Sequence, residues 1–245
     1  PVDTGPEWTT EMIEAAVAGG IPVIQPMKQS LGANRIHSVL GILNGTTNYI
    51  LTQMQQSGRS FDDMLSEAQR LGYAEADPTA DVDGLDAGDK IAILASLAFG
   101  GRINLEDVHR EGIRNVSASD IAYADKLGFV IKLLAIAKRP ETNPEEKAIS
   151  GQLQVRVHAT LVPKSHPLAT VNDVYNAILL EGEPLGQVMF FGPGAGSGPT
   201  ASAVVSDIIN VAALLKAGLT ANNPDTPSIH PLLSCSHHSY SQVES

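Results

Sequence analysis

The chain has 245 residues, 43% of them hydrophobic, with a net charge of -11 and a single cysteine, Cys235. That length buries the core of one large domain or two small ones, and the acidic balance argues against nucleic acid and anionic membrane surfaces as partners. No apolar run is long enough to span a bilayer, and one cysteine excludes an internal disulfide and suits a reducing, cytoplasmic setting. Residues 1–8 show no secretory leader, and the lack of an initiator Met leads us to expect sequence upstream.

In chain order, Thr9 or Thr10 is placed to cap a short helix over residues 11–18, which Gly19-Gly20 closes. Residues 21–26, I-P-V-I-Q-P, read as extended. Residues 35–43 are apolar and β-branched and read as a buried strand. Asn44-Gly45-Thr46-Thr47 forms a turn that can start a helix over 48–56. Ser60 and Asp63 make a weak capping box ahead of Phe61, Met64, Leu65, Ala68 and Leu71 at helical spacing, and Gly72 stops that helix.

Residues 86–99 read as a helix that is apolar all round in its second half, hence buried. Residues 117–127 predict a short helix, and 129–137, F-V-I-K-L-L-A-I-A, are ambiguous between strand and helix. A polar loop covers 140–146. Residues 152–162 alternate cleanly and predict a half-buried antiparallel strand. Further strands are expected at 174–180 and 187–191, around the turn E-G-E-P-L-G. The glycine loop G-P-G-A-G-S-G, residues 192–198, leads into a helix from Pro199-Thr200 with Ala201, Val204, Val205, Ile208 and Ala212 as one apolar stripe. Beyond Gly218 periodicity is lost and the chain reads as a linker; no internal repeat is visible.

The chemistry concentrates in residues 68–90, A-Q-R-L-G-Y-A-E-A-D-P-T-A-D-V-D-G-L-D-A-G-D-K. Glu75, Asp77, Asp81, Asp83, Asp86 and Asp89 crowd around Gly72, Pro78 and Gly84, directly before an apolar helix. Charges beside a core must be paired or used. Asp86 and Lys90 are four apart and share a helix face with Ile93 and Leu97, so a partly desolvated Lys90 can exchange a proton with a substrate hydroxyl. Spacing alone favours the plainer reading of a surface ion pair. A calcium loop is defeated by Lys90, which stands where the bidentate Glu would be. Asp-Pro and Asp-Gly also occur as ordinary turn residues. Residues 192–198 suit a phosphate before a helix N-terminus or serve as a plain connector; Pro199 breaks the G-x-G-x-x-G pattern. The seven histidines show no metal-ligand spacing, and His237-His238 beside Cys235 lie in the linker.

The pattern A-x3-G-Y-A-x2-D-P-x2-D-V-x-G-x-D-x3-K over residues 68–90 resembles the homoserine dehydrogenase signature at every fixed position. The resemblance extends to E-A-A-V-A-G-G-I-P-V-I (14–24), G-I-L-N-G-T-T-N-Y-I-L (41–51) and G-P-G-A-G-S-G-P-T-A-S-A-V-V-S-D (192–207). It implies NAD(P)-dependent interconversion of L-homoserine and L-aspartate 4-semialdehyde, on the route to threonine and methionine. By resemblance, Lys90 is the proton donor and acceptor and Asp86 holds it. Glu75 takes the substrate ammonium, and Gly45, Thr46, Tyr73 and Asp81 line the pocket. Gly194 and Gly196 approach NADP or NAD, and a sodium ion is bound near Glu14, Val17, Gly19 and Ile21, largely by backbone carbonyls. The family also implies a homodimer or higher homo-oligomer formed through the sheet, with only a small-molecule substrate as further partner.

The resulting expectation is an α+β fold, a mixed and largely antiparallel sheet covered by helices, with a remnant of an α/β dinucleotide-binding domain. Residues 1–30 would be that remnant, 31–197 the catalytic and dimerisation domain, 198–217 a helix returning to the dinucleotide-binding domain, and 218–245 a flexible tail. No G-x-G-x-x-G finger precedes residue 11, and the tail resembles the linker before an ACT domain. The alternative is a truncated or degenerate fragment of that family that oligomerises without catalysis. A dehydrogenase acting on another amino-acid semialdehyde is disfavoured by the complete signature.

Overall fold

In a computed structural model of the chain, residues 14–140, 153–216 and 243–244 are described. The cap at Thr9 or Thr10, nearly all of the polar loop after Pro140 and the stretch read as linker, apart from residues 243–244, lie outside them. The first expected helix is seen as α1, Glu14–Ala18. Residues 21–26 are not extended throughout, because Ile24–Lys28 forms a short helix, α2, that buries Ile24 and Met27. Pro26 falls in its first turn, where a missing N–H costs no intrahelical bond, so the proline marks a helix start and not a break.

The architecture is α+β, built on one mixed sheet. Its long strands are β1 (Arg35–Ile42), β3 (Phe129–Lys138), β4 (Leu153–Pro163), β5 (Tyr175–Glu183) and β6 (Gly186–Pro193), with two-residue strands β2 (His109–Arg110) and β7 (Val243–Glu244). The order is β2-β4-β3-β1-β5-β6, antiparallel along the long strands, while β2 and β7 each join β4 in parallel.

The ambiguous run at 129–137 is a strand whose two faces are both covered, which is why it shows no alternation. Leu133, Ala135 and Ala137 enter the main core with the helices. Val130, Leu134 and Ile136 enter a second cluster with Val162, Leu168, Val171 and Leu179, beneath the 3-10 turn Pro167–Thr170. On β4 the alternation read from sequence holds as far as His158: Leu153, Val155 and Val157 are fully buried and Gln154, Arg156 and His158 half-buried, but Ala159 is only half-buried, Leu161 is exposed and Val162 is buried instead.

Helices α3 (Gly45–Ser57), α4 (Phe61–Arg70), α5 (Thr79–Val82), α6 (Leu85–Phe99) and α7 (Ala118–Lys126) cover the main-core face. Ser60 caps α4 by accepting from Asp63 N, but the reciprocal capping box is found on α7, between Ser117 and Asp120. Helix α6 lies against β1, β3 and β4 as well as α1 and α2, with Ile91, Leu94 and Ala95 excluded from solvent. Lys90 immediately precedes that buried stretch.

Helix α8, Ser197–Lys216, starts inside the glycine loop, earlier than Pro199. Its apolar stripe is not in the core: Val204, Val205 and Ile208 are exposed, and Asp207 is the side chain of α8 that is buried among the described residues. No helix among the described residues is long and apolar enough to cross a membrane.

Candidate active site

The site begins where β1 ends. Leu43 is buried, and Asn44, extended and 6% exposed, caps α3 by accepting from the Thr47 amide at 2.9 Å and the Thr47 hydroxyl at 3.0 Å. The helix therefore starts at Gly45, not Asn48. The other end of the Asn44 amide faces α5 and α6. Its Nδ2 donates to Asp81 Oδ1 at 2.7 Å and to Asp86 Oδ2 at 2.9 Å. Asp86 Oδ2 also takes Lys90 Nζ at 2.7 Å, and Lys90 Nζ donates to the Leu43 carbonyl at 3.1 Å.

With side chains 19% and 31% exposed, Lys90 and Asp86 do not form the ordinary surface pair that spacing favours. Each has a second partner from the β1–α3 junction, which spacing along one helix does not reveal. An ammonium on a packed helix, held by one carboxylate and one carbonyl and still in reach of solvent, is placed to exchange a proton with a small ligand.

The six acidic residues of the loop divide by what they touch. Asp77, just ahead of α5, accepts from Thr79 N at 3.1 Å, and its bonds to Thr79 hold its carboxyl below the usual range. Asp83 is paired with Arg114 at 2.5 Å, whose guanidinium also reaches Thr79 Oγ1 at 3.4 Å. Asp89 is exposed. Asp81 and Asp86 are the two gathered by Asn44. Glu75 stands exposed, its carboxylate without a side-chain partner among the described residues, while its main-chain oxygen accepts from Gln69 Nε2 at 3.0 Å.

Thr46 Oγ1 donates to the Tyr73 carbonyl at 2.6 Å, and the Tyr73 ring stands edge-on to Tyr49 at 5.0 Å. These contacts hang the loop after α4 on α3. Gly45, Thr46, Tyr73, Asp81, Asp86 and Lys90 are thus brought together around the first turn of α3 and the α5–α6 junction. Glu75, two residues beyond Tyr73, is exposed and makes no bond to that group among the described residues.

The glycine loop is fixed from both sides. A side chain on Gly194 would collide with the Asn176 amide, and one on Gly19 with the Gly194 carbonyl. Gly20 N donates to Pro193 O at 3.2 Å. Asn176 in turn borders α3, since a Cβ on Gly45 would lie 3.6 Å from its Oδ1 and 2.7 Å from Val174 O. Asn176 is 1% exposed and its Oδ1 has no partner among the described residues. One buried amide therefore separates the glycine loop from the start of α3. Gly194→Ala is expected to destabilise the fold by about 1–3 kcal/mol, the cost of overpacking, as read by thermal unfolding.

Asn44 and Asn176 are site residues that sequence reasoning missed. Asn44 signals only a helix cap. Asn176 carried a signal that went unused, a strand-averse side chain inside the apolar run of β5.

The family model described as homoserine dehydrogenase matches residues 22–209. The chain belongs to the homoserine dehydrogenase family. It is 64% identical over 232 residues to a homoserine dehydrogenase of Synechocystis, covering 95% of this chain and 51% of that protein. It is 55% identical over 199 residues to the Corynebacterium glutamicum enzyme, covering 81% of this chain and 44% of that protein. The solved homoserine dehydrogenase of Thiobacillus denitrificans superposes with a TM-score of 0.79 at 46% identity, over 87% of this chain and 50% of that one. A hyperthermophilic archaeal homoserine dehydrogenase in complex with NADPH superposes with a TM-score of 0.67 at 30% identity, over 82% of this chain and 55% of that one. The chain spans about half the length of these relatives.

Proposed function

We propose that this chain carries the substrate-handling half of an NAD(P)-dependent oxidoreductase that interconverts L-homoserine and L-aspartate 4-semialdehyde. The observation that carries the reading is Lys90 Nζ, held between Asp86 Oδ2 and the Leu43 carbonyl on a buried helix. In the oxidative direction neutral Lys90 takes the hydroxyl proton while the substrate's carbinol carbon gives up hydride, leaving the aldehyde. In reduction the Lys90 ammonium returns that proton to the nascent alkoxide. NAD(P), when bound, supplies the hydride acceptor or donor.

Asp86 steadies Lys90. Glu75, exposed and without a side-chain partner among the described residues, is the group we assign to the substrate's ammonium, and Gly45, Thr46, Tyr73 and Asp81 line the pocket. The chemistry of the glycine loop suits a dinucleotide, since the first N–H groups of the twenty-residue α8 emerge from an exposed loop and favour an anion. Gly194 and Gly196 are the residues we assign there. The donor set at the end of α1 suits a sodium ion: Val17 and Ile21 are buried apolar side chains, so only their main-chain oxygens, with that of Gly19, are available to a hard cation, and Glu14 is the carboxylate we assign with them.

The domain reading follows the same logic. The exposed stripe of α8 favours residues 198–217 as a helix that covers a dinucleotide-binding unit. Residues 1–30 belong to that unit and 31–197 to the catalytic and dimerisation domain. The homodimer is assigned to the sheet face that carries exposed Tyr175, Met189 and Phe191, the first and last of them stacked at 5.1 Å. The test is steady-state oxidation of homoserine with NADP+ and NAD+ by the protein at its natural length. Formation of reduced nicotinamide and aspartate semialdehyde is expected, and no turnover with either dinucleotide would leave the non-catalytic, oligomerising alternative.

A further inference from the structure

Two carboxylates and a lysine meet at this site, and what holds them is neutral. The Asn44 amide nitrogen has two N–H groups, and both are in use, one toward Asp81 at 2.7 Å and one toward Asp86 at 2.9 Å. Its oxygen is committed as well, accepting from Thr47 N and Thr47 Oγ1. Those partners fix which way the amide points. Turned over, it would set an N–H donor against the Thr47 amide and an oxygen against both carboxylates, losing the Thr47 amide bond and both carboxylate bonds at once. At 6% exposure the side chain is shielded from water, where charge-assisted bonds are stronger than at the surface.

The anchor is rigid. Asn44 follows Leu43 at the buried end of β1, and Leu43 contributes the carbonyl that takes Lys90 Nζ. Two consecutive residues therefore grip both members of the Asp86–Lys90 pair, one by its main chain and one by its side chain. Asp81 and Asp86 come from different helices, α5 and α6, and like charges this close repel. A neutral donor placed between them offsets that repulsion without adding a titrating group.

We propose that Asn44 is a positioning residue of the reaction: its amide draws Asp81 and Asp86 together and, through Asp86, aims Lys90 at the substrate hydroxyl. The proposal rests on the reading of Lys90 as the proton partner. Asn44 does not touch the reacting atoms; it acts through the carboxylates. Its helix-capping role is separable from this one, because Asp, Asn and Ser cap helices about equally well while only Asn presents a neutral two-proton donor to two acceptors.

The test compares Asn44→Asp and Asn44→Ser with the wild-type protein at its natural length, in homoserine oxidation and thermal unfolding. Asn44→Asp keeps the cap and replaces the bridge with a third carboxylate. It is expected to melt below wild type, because a third shielded carboxylate repels Asp81 and Asp86, while kcat of the folded protein falls on the order of 100-fold, the cost of misplacing a reacting group by about an ångström. KM for homoserine changes far less. Should Asn44→Asp not fold, Asn44→Ser decides, since it caps without charge and cannot bridge; loss of kcat there supports the proposal. Wild-type kcat in a folded variant of either kind means that Asn44 is only a cap and overturns it. A raised KM with unchanged kcat makes Asn44 a substrate contact and also overturns it. Lys90→Ala assayed in parallel separates the two claims: full activity in Lys90→Ala sinks the proposed function itself, whereas its loss beside a fully active Asn44→Asp sinks only the inference.

Discussion

Lys90→Ala is expected to lower homoserine turnover about 10²–10⁴-fold, the range that a positioned proton-transfer group contributes. The fold survives the change for reasons visible around it. Asp86 keeps the Asn44 donor when Lys90 is removed, so its carboxylate is not left alone. The lysine side chain is 19% exposed, so water reaches the space it vacates, and the stability cost stays about 1 kcal/mol. Lys90→Arg is expected to fail as completely, because a guanidinium stays protonated at working pH and cannot accept the hydroxyl proton. Circular dichroism and thermal unfolding of both variants, beside their kcat values, check that the loss is chemical.

The second large effect concerns a lysine outside the site. Lys132 on β3 is 1% exposed, and its Nζ donates to Val171 O at 2.5 Å, Asn48 Oδ1 at 3.0 Å and Asn172 Oδ1 at 3.2 Å. No carboxylate is bonded to it among the described residues, although Asp173 lies close enough to favour its charge. Burial pushes the ammonium down from 10.5 to about 8. Lys132→Ala removes three charge-assisted bonds and opens a cavity, against which the relief of a buried charge is the smaller effect. The net loss is about 3 kcal/mol, measurable by denaturant unfolding.

The pH dependence follows from the direction of that shift. Between pH 8 and 10.5 the unfolded chain holds the Lys132 proton more firmly than the native one, so unfolding is coupled to proton uptake and stability rises with pH. The burden of charging the buried lysine is fully present below pH 8 and is relieved as pH climbs through that window, by about 3 kcal/mol in total. Wild type is therefore expected to gain stability relative to Lys132→Met between these limits. A flat difference would mean that Lys132 titrates as it does in water.

Much of the fold was legible because its signals are local. The cap at Ser60, the alternation along the first half of β4 and the apolar second half of α6 depend on neighbours within a few residues. The errors have physical causes. The strand β3 hid its period because helices cover one face and the Pro167–Thr170 turn lies over the other. The stripe on α8 reads like any core helix, and only the folded chain shows it facing outward. In the site, four-residue spacing made the Asp86–Lys90 pair visible, but their burial and second partners come from the end of β1. Asn44 reaches Asp81 and Asp86 across 37 and 42 residues, and Lys132 reaches Asn48 across 84. No spacing rule spans such distances. Glu75 falls at a variable position of the signature, so its role came from the family resemblance alone, and in the folded chain it is an exposed carboxylate.

The most direct test of the central claim, that Lys90 moves the proton, is amine rescue of Lys90→Ala at the protein's natural length. Homoserine oxidation is followed with and without a small primary amine that fits the vacated space. Turnover that is nearly absent alone and rises with the concentration of free amine is the result expected. Homoserine oxidation by Lys90→Ala at the wild-type rate, with no amine present, would contradict the account.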